Sequence, residues 1–406
     1  MTQTFQAGPQ GNDLKSDCQV SYTPGGNPLE LQIDSKVKAL FAQDLKNRAL
    51  ETLAALGIST GTLVINDFGA LPFVMSAHIE TVIKRAFPAI DKDVLPELKD
   101  HARYETTFQR FRRSRLYLPG NQPKLFLNAG IHKPDAIILD LEDSVPPSEK
   151  DSARHLVRNA LRTLDFFGAE RMVRINQGDL GMQDLKAIVP HNVHVVIIPK
   201  AETPQQIASV EKKIEDLRSL HKLSQPVYLL PILESALGVI NAYDIARSSK
   251  LIVGLSMGLE DYTADLGTQR TESGVESLFA RSMLVNAARA AGVQALASVY
   301  SDVSNLPGLT KAIEEAKALG FEGMGCIHPR QIQLIHETFA PSDLEIEQAI
   351  RIVEASEEAT SKGLGVISVG SKMIDAPVVI RAERTLKMAV ETGKLSSSWR
   401  TDTPSE

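Results

Sequence analysis

Asp135-Ala136-Ile137-Ile138-Leu139-Asp140-Leu141-Glu142-Asp143-Ser144 joins an apolar run to a cluster of acids. Asp135 to Leu139 reads as a buried parallel strand, and the acids fall where the chain leaves the sheet, the end at which α/β folds assemble their sites. The pattern returns twice: Val227 to Leu233 runs into Glu234, and Leu251 onward runs into Glu260 and Asp261. Three strands that end in carboxylates predict a hard divalent cation.

Working outward, eight short apolar runs alternate with helical stretches: Leu116–Leu118, Ala136–Leu139, Met172–Ile175, Val193–Ile198, Val227–Leu233, Leu251–Ser256, Gln294–Val299 and Gly323–Ile327. Eight βα repeats predict an α/β fold of the closed (β/α)8 TIM barrel type, for which about 250 residues is typical. A doubly wound open sheet is the alternative. No GxGxxG fingerprint is present, and Gly254-Leu-Ser-Met-Gly258 is too short for a phosphate-binding Walker loop. In a barrel, Pro119-Gly120, Glu142-Asp143, Arg174-Asn176, Lys200, Glu234, Asp261, Ser298 and His328 would all face one rim.

The first 90 residues differ. Ser35 to Leu56 carries Val37, Leu40, Phe41, Leu45 and Ala49 at helical spacing, and Gly57 is a helix stop. Leu63 to Ile65 reads as a strand, Asn66 to Gly69 as a turn, and Leu71 to Phe87 as a second strand running into a helix. Residues 1–90 therefore form a small α+β domain. A charged linker containing prolines follows at 91–111, then the barrel at 112–395 and a disordered tail at 396–406.

Composition narrows the function. The chain has 406 residues, 43% hydrophobic, with net charge −6. That charge argues against a generic nucleic-acid footprint, although Arg103, Arg110, Arg112, Arg113 and Arg115 form a local basic patch. Cys18 and Cys326 cannot make a disulfide framework and show no zinc-type spacing, so a reducing cytoplasm is expected. The start lacks a signal-peptide pattern and no apolar run reaches the roughly 18 residues that span a bilayer, so no membrane partner is expected.

With these motifs in place, the chain resembles the citrate lyase beta-subunit family, within the larger group of malyl-, citramalyl- and citryl-thioester lyases. The resemblance rests on Arg113-Ser-Arg-Leu-Tyr-Leu-Pro-Gly120, Leu139-Asp-Leu-Glu-Asp-Ser144, Val173-Arg-Ile-Asn176, Pro199-Lys200, Glu234-Ser-Ala-Leu-Gly238, Leu259-Glu-Asp-Tyr262, Leu278-Phe-Ala-Arg-Ser282, Ile327-His-Pro-Arg330 and Lys372-Met-Ile-Asp-Ala-Pro377. The N-terminal domain resembles the acyl-carrier (gamma) subunit through Leu14-Lys-Ser-Asp17, Leu31-Gln-Ile-Asp-Ser-Lys-Val37 and Asp67-Phe-Gly-Ala-Leu71. A natural fusion of carrier and lyase is the reading that follows.

The resemblance implies a carbon–carbon lyase that cleaves a carrier-bound citryl thioester to oxaloacetate and acetyl-carrier with Mg2+. It places a triphosphoribosyl-dephospho-CoA arm on Ser16, with Ser21 as the second choice; the family has one more residue between its serine and aspartate than Ser16-Asp17 allows. It also implies a separate alpha (transferase) subunit and a homo-oligomer, a trimer or hexamer. The rival readings are a citramalyl- or malyl-CoA lyase acting on free CoA thioesters and a non-catalytic acyl-carrier scaffold.

Among the site residues, the family assigns magnesium to Glu234 and Asp261, and both also end strands. Glu142 and Asp143 would hold metal-bound water and orient cations; direct ligation or ion pairs to Arg115 or Arg174 are the alternatives. Asp140 points into the barrel or orients a loop. Arg174 would grip a substrate carboxylate with its planar guanidinium, or pair with Asp143. Glu234 and Arg115 join it in the substrate-binding set, and Arg115 and Lys124 would meet substrate or the arm's phosphates. Asp375 would be the acid/base group, supplied by a neighbouring subunit, against the plainer role of a helix cap ahead of Pro377. His328 and Cys326 read as structural.

Overall fold

The computed structural model describes residues 3–9, 11, 14–361, 367–369 and 372–400. The chain divides into two compact units, Met1–Ile332 and Gln333–Glu406.

The first unit opens with strands β1 (Phe5–Ala7), β2 (Cys18–Pro28), β3 (Glu30–Ser35) and β4 (Thr60–Asp67), in sheet order β1-β2-β4-β3. β3 pairs parallel with β4, and the other contacts are antiparallel. Helix α1 (Lys38–Ala55) falls within the span its periodicity predicts, and Gly57 follows it at φ +76°. Left-handed backbone of this kind suits glycine and ends the helix.

The expected strand after Leu71 is absent. Helix α2 (Pro72–Ala86) starts at Pro72, and every residue from Phe73 to Ile83 is buried. A helix covered on all sides shows no polar stripe, so its sequence resembles a buried strand. The sheet packs on one flank of α2 and the barrel on another.

The barrel closes as expected. Strands β5 (Ser114–Pro119), β6 (Ala136–Asp140), β7 (Glu170–Arg174), β8 (Val195–Ile198), β9 (Tyr228–Leu233), β10 (Gly254–Met257), β11 (Gln294–Ala297) and β12 (Gly323–Cys326) are parallel, and β12 returns to β5 with Met324 opposite Ser114. β6 and β8 are buried throughout because helices cover one face and the barrel core the other. Ile138, Met172, Ile197, Leu230, Ile232 and Leu296 form part of that core. Arg112, just before β5, forks onto both oxygens of Glu170 at 2.7 and 2.8 Å.

After α3 (Pro123–Phe126), helix α4 (Lys150–Thr163) carries the contact with the N-terminal domain. Arg158 donates to both carboxylate oxygens of Glu80 on α2, at 3.0 and 2.6 Å. His155 bonds Thr81, and Asn159 donates to the Phe73 carbonyl.

The 91–111 segment bonds to the barrel. Lys99 donates its backbone N–H to Arg162, Arg162 donates to the Pro96 carbonyl, and the Tyr104 hydroxyl donates to Ala169. The segment is bonded to the barrel at Pro96, Lys99 and Tyr104.

In the second unit, helices Asp343–Ser361 and Ala376–Glu391 pack through Ile346, Ala349 and Val353 against Ala382, Leu386 and Ala389. Leu395 and Trp399 pack on the same cluster, so ordered chain continues past the expected boundary at 395. Residues 401–406 of the expected tail lie outside the described residues.

Candidate active site

The C-terminal ends of the barrel strands surround a cavity of about 640 Å³ lined by Arg115, Asp140, Arg174, Glu234, Asp261 and His328 among others. The strands and the helix starts that follow them bring these side chains together from distant parts of the chain.

β6 delivers Asp140, whose carboxylate organises the loop after it. Its oxygens accept from the backbone N–H groups of Glu142 and Ser144, at 3.0 and 3.2 Å, and from the Ser144 hydroxyl. Arg174, ending β7, donates Nε and Nη2 to the two oxygens of Asp140 at 2.6 and 2.7 Å. Burial alone would raise the Asp140 carboxyl, but the Arg174 hydrogen bonds and charge hold it below its usual value. The Arg174 fork expected to grip a substrate carboxylate is therefore engaged by Asp140. Nη1 donates to Asp143 Oδ2 at 3.3 Å, the pairing expected as its alternative, and lies 3.0 Å from Glu142 Oε2. Both alternatives for Asp140 are found: it lines the cavity and it orients the loop that follows.

Glu142 is buried, and burial pushes its carboxyl up against the pull of Arg174. Its Oε1 accepts from Gln177 at 3.2 Å, while Oε2 is buried without a hydrogen bond of good geometry despite its closeness to Arg174. Asp143 is half exposed.

Glu234 follows β9 and is 4% exposed; burial pushes its carboxyl up to about 7. Oε1 accepts the Lys200 backbone N–H at 2.7 Å. Lys200 holds φ +46°, a left-handed conformation uncommon for a side-chain-bearing residue and often found at functional sites. Gly258 stands where a Cβ would lie 2.4 Å from Glu234 Oε2, so only glycine leaves the carboxylate room. Asp261 sits in the first turn of helix Leu259–Asp265. The Lys200 ammonium bridges Asp261 Oδ1, at 3.6 Å, and Glu142 Oε1, at 3.7 Å. Lys200 was expected at this rim only as a strand-end residue; its Pro-Lys position was legible, its link between two acids was not.

Glu234 and Asp261 are hard oxygen donors at one mouth, and Glu142 adds a buried oxygen without a hydrogen-bond partner. Magnesium commonly takes only one or two carboxylates and keeps water, so the set fits that ion.

Three further expected residues have these surroundings. Asp375 is in the second unit, exposed, where its carboxylate caps helix Ala376–Glu391 by accepting from Val378 N–H at 3.3 Å. Ser16 is in the N-terminal sheet domain at φ +57°, its N–H donated to Phe68. Arg115 lines the cavity but lies at the second position of β5, well below the strand end. Cys326 is buried and its thiol is pushed up to about 12, which makes it inert. His328 lines the cavity and accepts the Arg330 N–H.

Residues 113–329 match the family described as HpcH/HpaI aldolase/citrate lyase, and residues 5–86 match an acyl-carrier family described as malonate decarboxylase delta subunit (MdcD). Citrate lyase subunit beta of Leuconostoc mesenteroides is 41% identical over 286 residues, covering 69% of this chain and 94% of that protein. The Haemophilus influenzae subunit is 42% identical over 283 residues, covering 69% and 97%. Human mitochondrial citramalyl-CoA lyase is 32% identical over 291 residues, covering 68% and 85%. Among solved structures, the CitE protein of Mycobacterium tuberculosis in complex with magnesium, acetoacetate and coenzyme A superposes with TM-score 0.59 at 30% identity, covering 70% of this chain and 99% of that one. Closed barrel, strand-end acids and these matches agree: an acyl-carrier domain precedes a barrel, and the chain belongs to the HpcH/HpaI aldolase/citrate lyase family.

Proposed function

We propose that this chain is a fused acyl carrier and citryl-thioester lyase, cleaving a carrier-bound citryl group to oxaloacetate and an acetyl thioester. The observation that carries the reading is one cavity in which Glu234 and Asp261 face Arg174 and Arg115, hard anionic oxygens for a metal beside cations for a polycarboxylate. Magnesium held by Glu234 and Asp261 would supply Lewis-acid polarisation of the substrate's hydroxyl and carboxylate oxygens. Asp140 fixes Arg174, whose Nη1 donates to Asp143 and lies beside Glu142. Glu142 and Lys200 position the acids around it.

The tertiary hydroxyl loses its proton, the carbon–carbon bond breaks, and the electron pair passes to the acetyl-thioester enolate, which is then protonated at carbon. Asp375 is the proposed acid/base group, contributed by a second copy of the chain in a trimer or hexamer. A triphosphoribosyl-dephospho-CoA arm on Ser16 and a separate alpha transferase subunit complete the proposed system, in the cytoplasm.

The carrier's seat supports delivery within one chain. Residue 16 lies between β1 and β2, and both ends of that connection are pinned beside the start of α4. Arg85 donates to the Gln6 carbonyl, to the Ser148 carbonyl at 2.6 Å and to Asp151. His78 bridges Asp17 and Ser152, at 2.9 Å to each. Lys150 in the same turn of α4 donates to the carbonyls of Leu141 and Glu142, beside the cavity.

The test is oxaloacetate release from a citryl thioester by the full chain, before and after chelation, with intact mass of protein from its native host. Release that stops on chelation and returns with magnesium is expected. Release indifferent to thorough metal removal overturns the metal reading, and an unmodified mass overturns the carrier reading.

A further inference from the structure

Arg112, Arg115, Arg158 and Arg171 are buried to 1% exposure or less. Arg112 meets Glu170 and Arg158 meets Glu80 through two hydrogen bonds each. Arg171 lies 4.4 Å over the Tyr104 ring and donates to two backbone carbonyls. Arg115 has no carboxylate partner. Its Nη2 donates to the Ala297 carbonyl at 2.9 Å and lies 3.4 Å from Ser256 Oγ, while Nε and Nη1 are buried with no acceptor among the described residues. Burial pulls the guanidinium down to about 10, still charged at neutral pH.

A buried cation with free donors costs several kcal/mol unless an anion satisfies it. Because Arg115 lines the cavity, that anion can be a ligand. Its depth is set by Ser256, two residues before Gly258, which abuts Glu234. Two residues at about 3.3 Å each separate Ser256 from Gly258 along the chain, so the guanidinium lies deeper in the barrel than Glu234. A short dicarboxylate with one end at the mouth places its other end near that depth.

We propose that Arg115 determines substrate choice: its free N–H groups bind the distal carboxylate of the half that leaves as oxaloacetate, selecting citryl thioesters over citramalyl or malyl thioesters. The inference rests on the lyase reading and names the group within that cavity that reads the acid. A citramalyl group has a methyl where the citryl group has a carboxymethyl, so it leaves the guanidinium unpaired. Sites built to hydrogen-bond a polar group discriminate strongly against analogues that lack it.

The experiment uses the full chain with citryl-CoA and citramalyl-CoA as free thioesters. Wild type should prefer citryl-CoA by about 10³-fold in kcat/KM. Arg115→Met should remove most of that preference by lowering citryl-CoA turnover while citramalyl-CoA stays within a few-fold, and Arg115→Lys should recover part of it. Equal losses on both substrates, or an unchanged preference, overturn the proposal. Calorimetric binding of oxaloacetate and pyruvate separates this inference from the lyase reading. If no thioester is cleaved, the lyase reading fails, yet oxaloacetate binding that weakens in Arg115→Met while pyruvate binding persists still supports the carboxylate site. Oxaloacetate bound equally by wild type, Arg115→Met and Arg115→Lys sinks it.

Discussion

Glu80, at the seam between carrier domain and barrel, and Glu142, at the barrel mouth, are both buried glutamates facing an arginine, yet they shift in opposite directions. Burial alone would raise Glu80, but two hydrogen bonds from Arg158 and one ion pair from Lys84 hold it below its usual value. At Glu142 burial wins, because Arg174 has spent its fork on Asp140 and Asp143 adds like charge. A buried acid with complete partners holds two domains together. One with incomplete partners remains available to a ligand.

The largest test of that contrast removes one acid from the mouth. Asp261→Ala should lower citryl-thioester turnover by about 10³-fold, several kcal/mol of transition-state stabilisation, with little change in fold stability. Manganese binding followed by electron paramagnetic resonance should fall with it. Retained turnover together with retained binding would remove Asp261 from the metal set.

At the seam the same kind of change should act on stability. Glu80→Gln leaves Arg158 buried without its anion and should cost about 3–5 kcal/mol in denaturant unfolding. Glu80→Met combined with Arg158→Met should recover most of it, since two apolar side chains can replace a buried pair. Free-thioester turnover by the folded fraction should hardly move. A single variant as stable as wild type would mean that the seam is not set by this pair.

The two regions should also answer pH with opposite signs. Glu234 has a folded value near 7, above its ordinary 4.5, so its contribution is fully present below about pH 4.5 and is lost as pH rises through about 7. That loss amounts to about 3 kcal/mol in metal-free protein, and Glu234→Gln should abolish it. At the seam, burial and then the Arg158 charge hold His155 well below 6.5. Its contribution is present above pH 6.5 and is lost as pH falls toward the lower folded value. His155→Gln should flatten that acid limb and leave the neutral limb alone.

The barrel was legible because its strands are apolar on both faces and end in polar residues, a pattern that survives without knowledge of contacts. The seam was not. α2 looked partly like a strand because burial on every side erases helical periodicity, and nothing in Pro88 to His101 signals that it lies against the barrel. At the mouth, Glu234 and Asp261 could be read as strand-end acids, and Arg174 could be placed beside them. The pairing with Asp143 could be read, but the fork onto Asp140 could not, because it depends on which neighbouring-strand residue shares its level: Asp140 pairs directly with Arg174 in the sheet register. Arg115 could be singled out as a cation, but its lack of a partner is a property of the closed barrel.

The smallest test makes one substitution in both regions. Ser152→Ala, fully buried, removes the hydroxyl bonded to His78 Nδ1 and leaves a buried polar atom without its partner. It should cost about 1–2 kcal/mol of stability and leave free-thioester turnover unchanged. Ser144→Ala removes a hydroxyl bonded to Asp140 at an exposed position, where water can replace it. Its cost should be under about 0.5 kcal/mol. Turnover should nevertheless fall a few-fold, because Asp140 orients both Arg174 and the Glu142 loop. If Ser152→Ala impairs free-thioester turnover as much as Ser144→Ala does, then seam and mouth are coupled, and the division between charges that hold the domains and charges that await substrate fails.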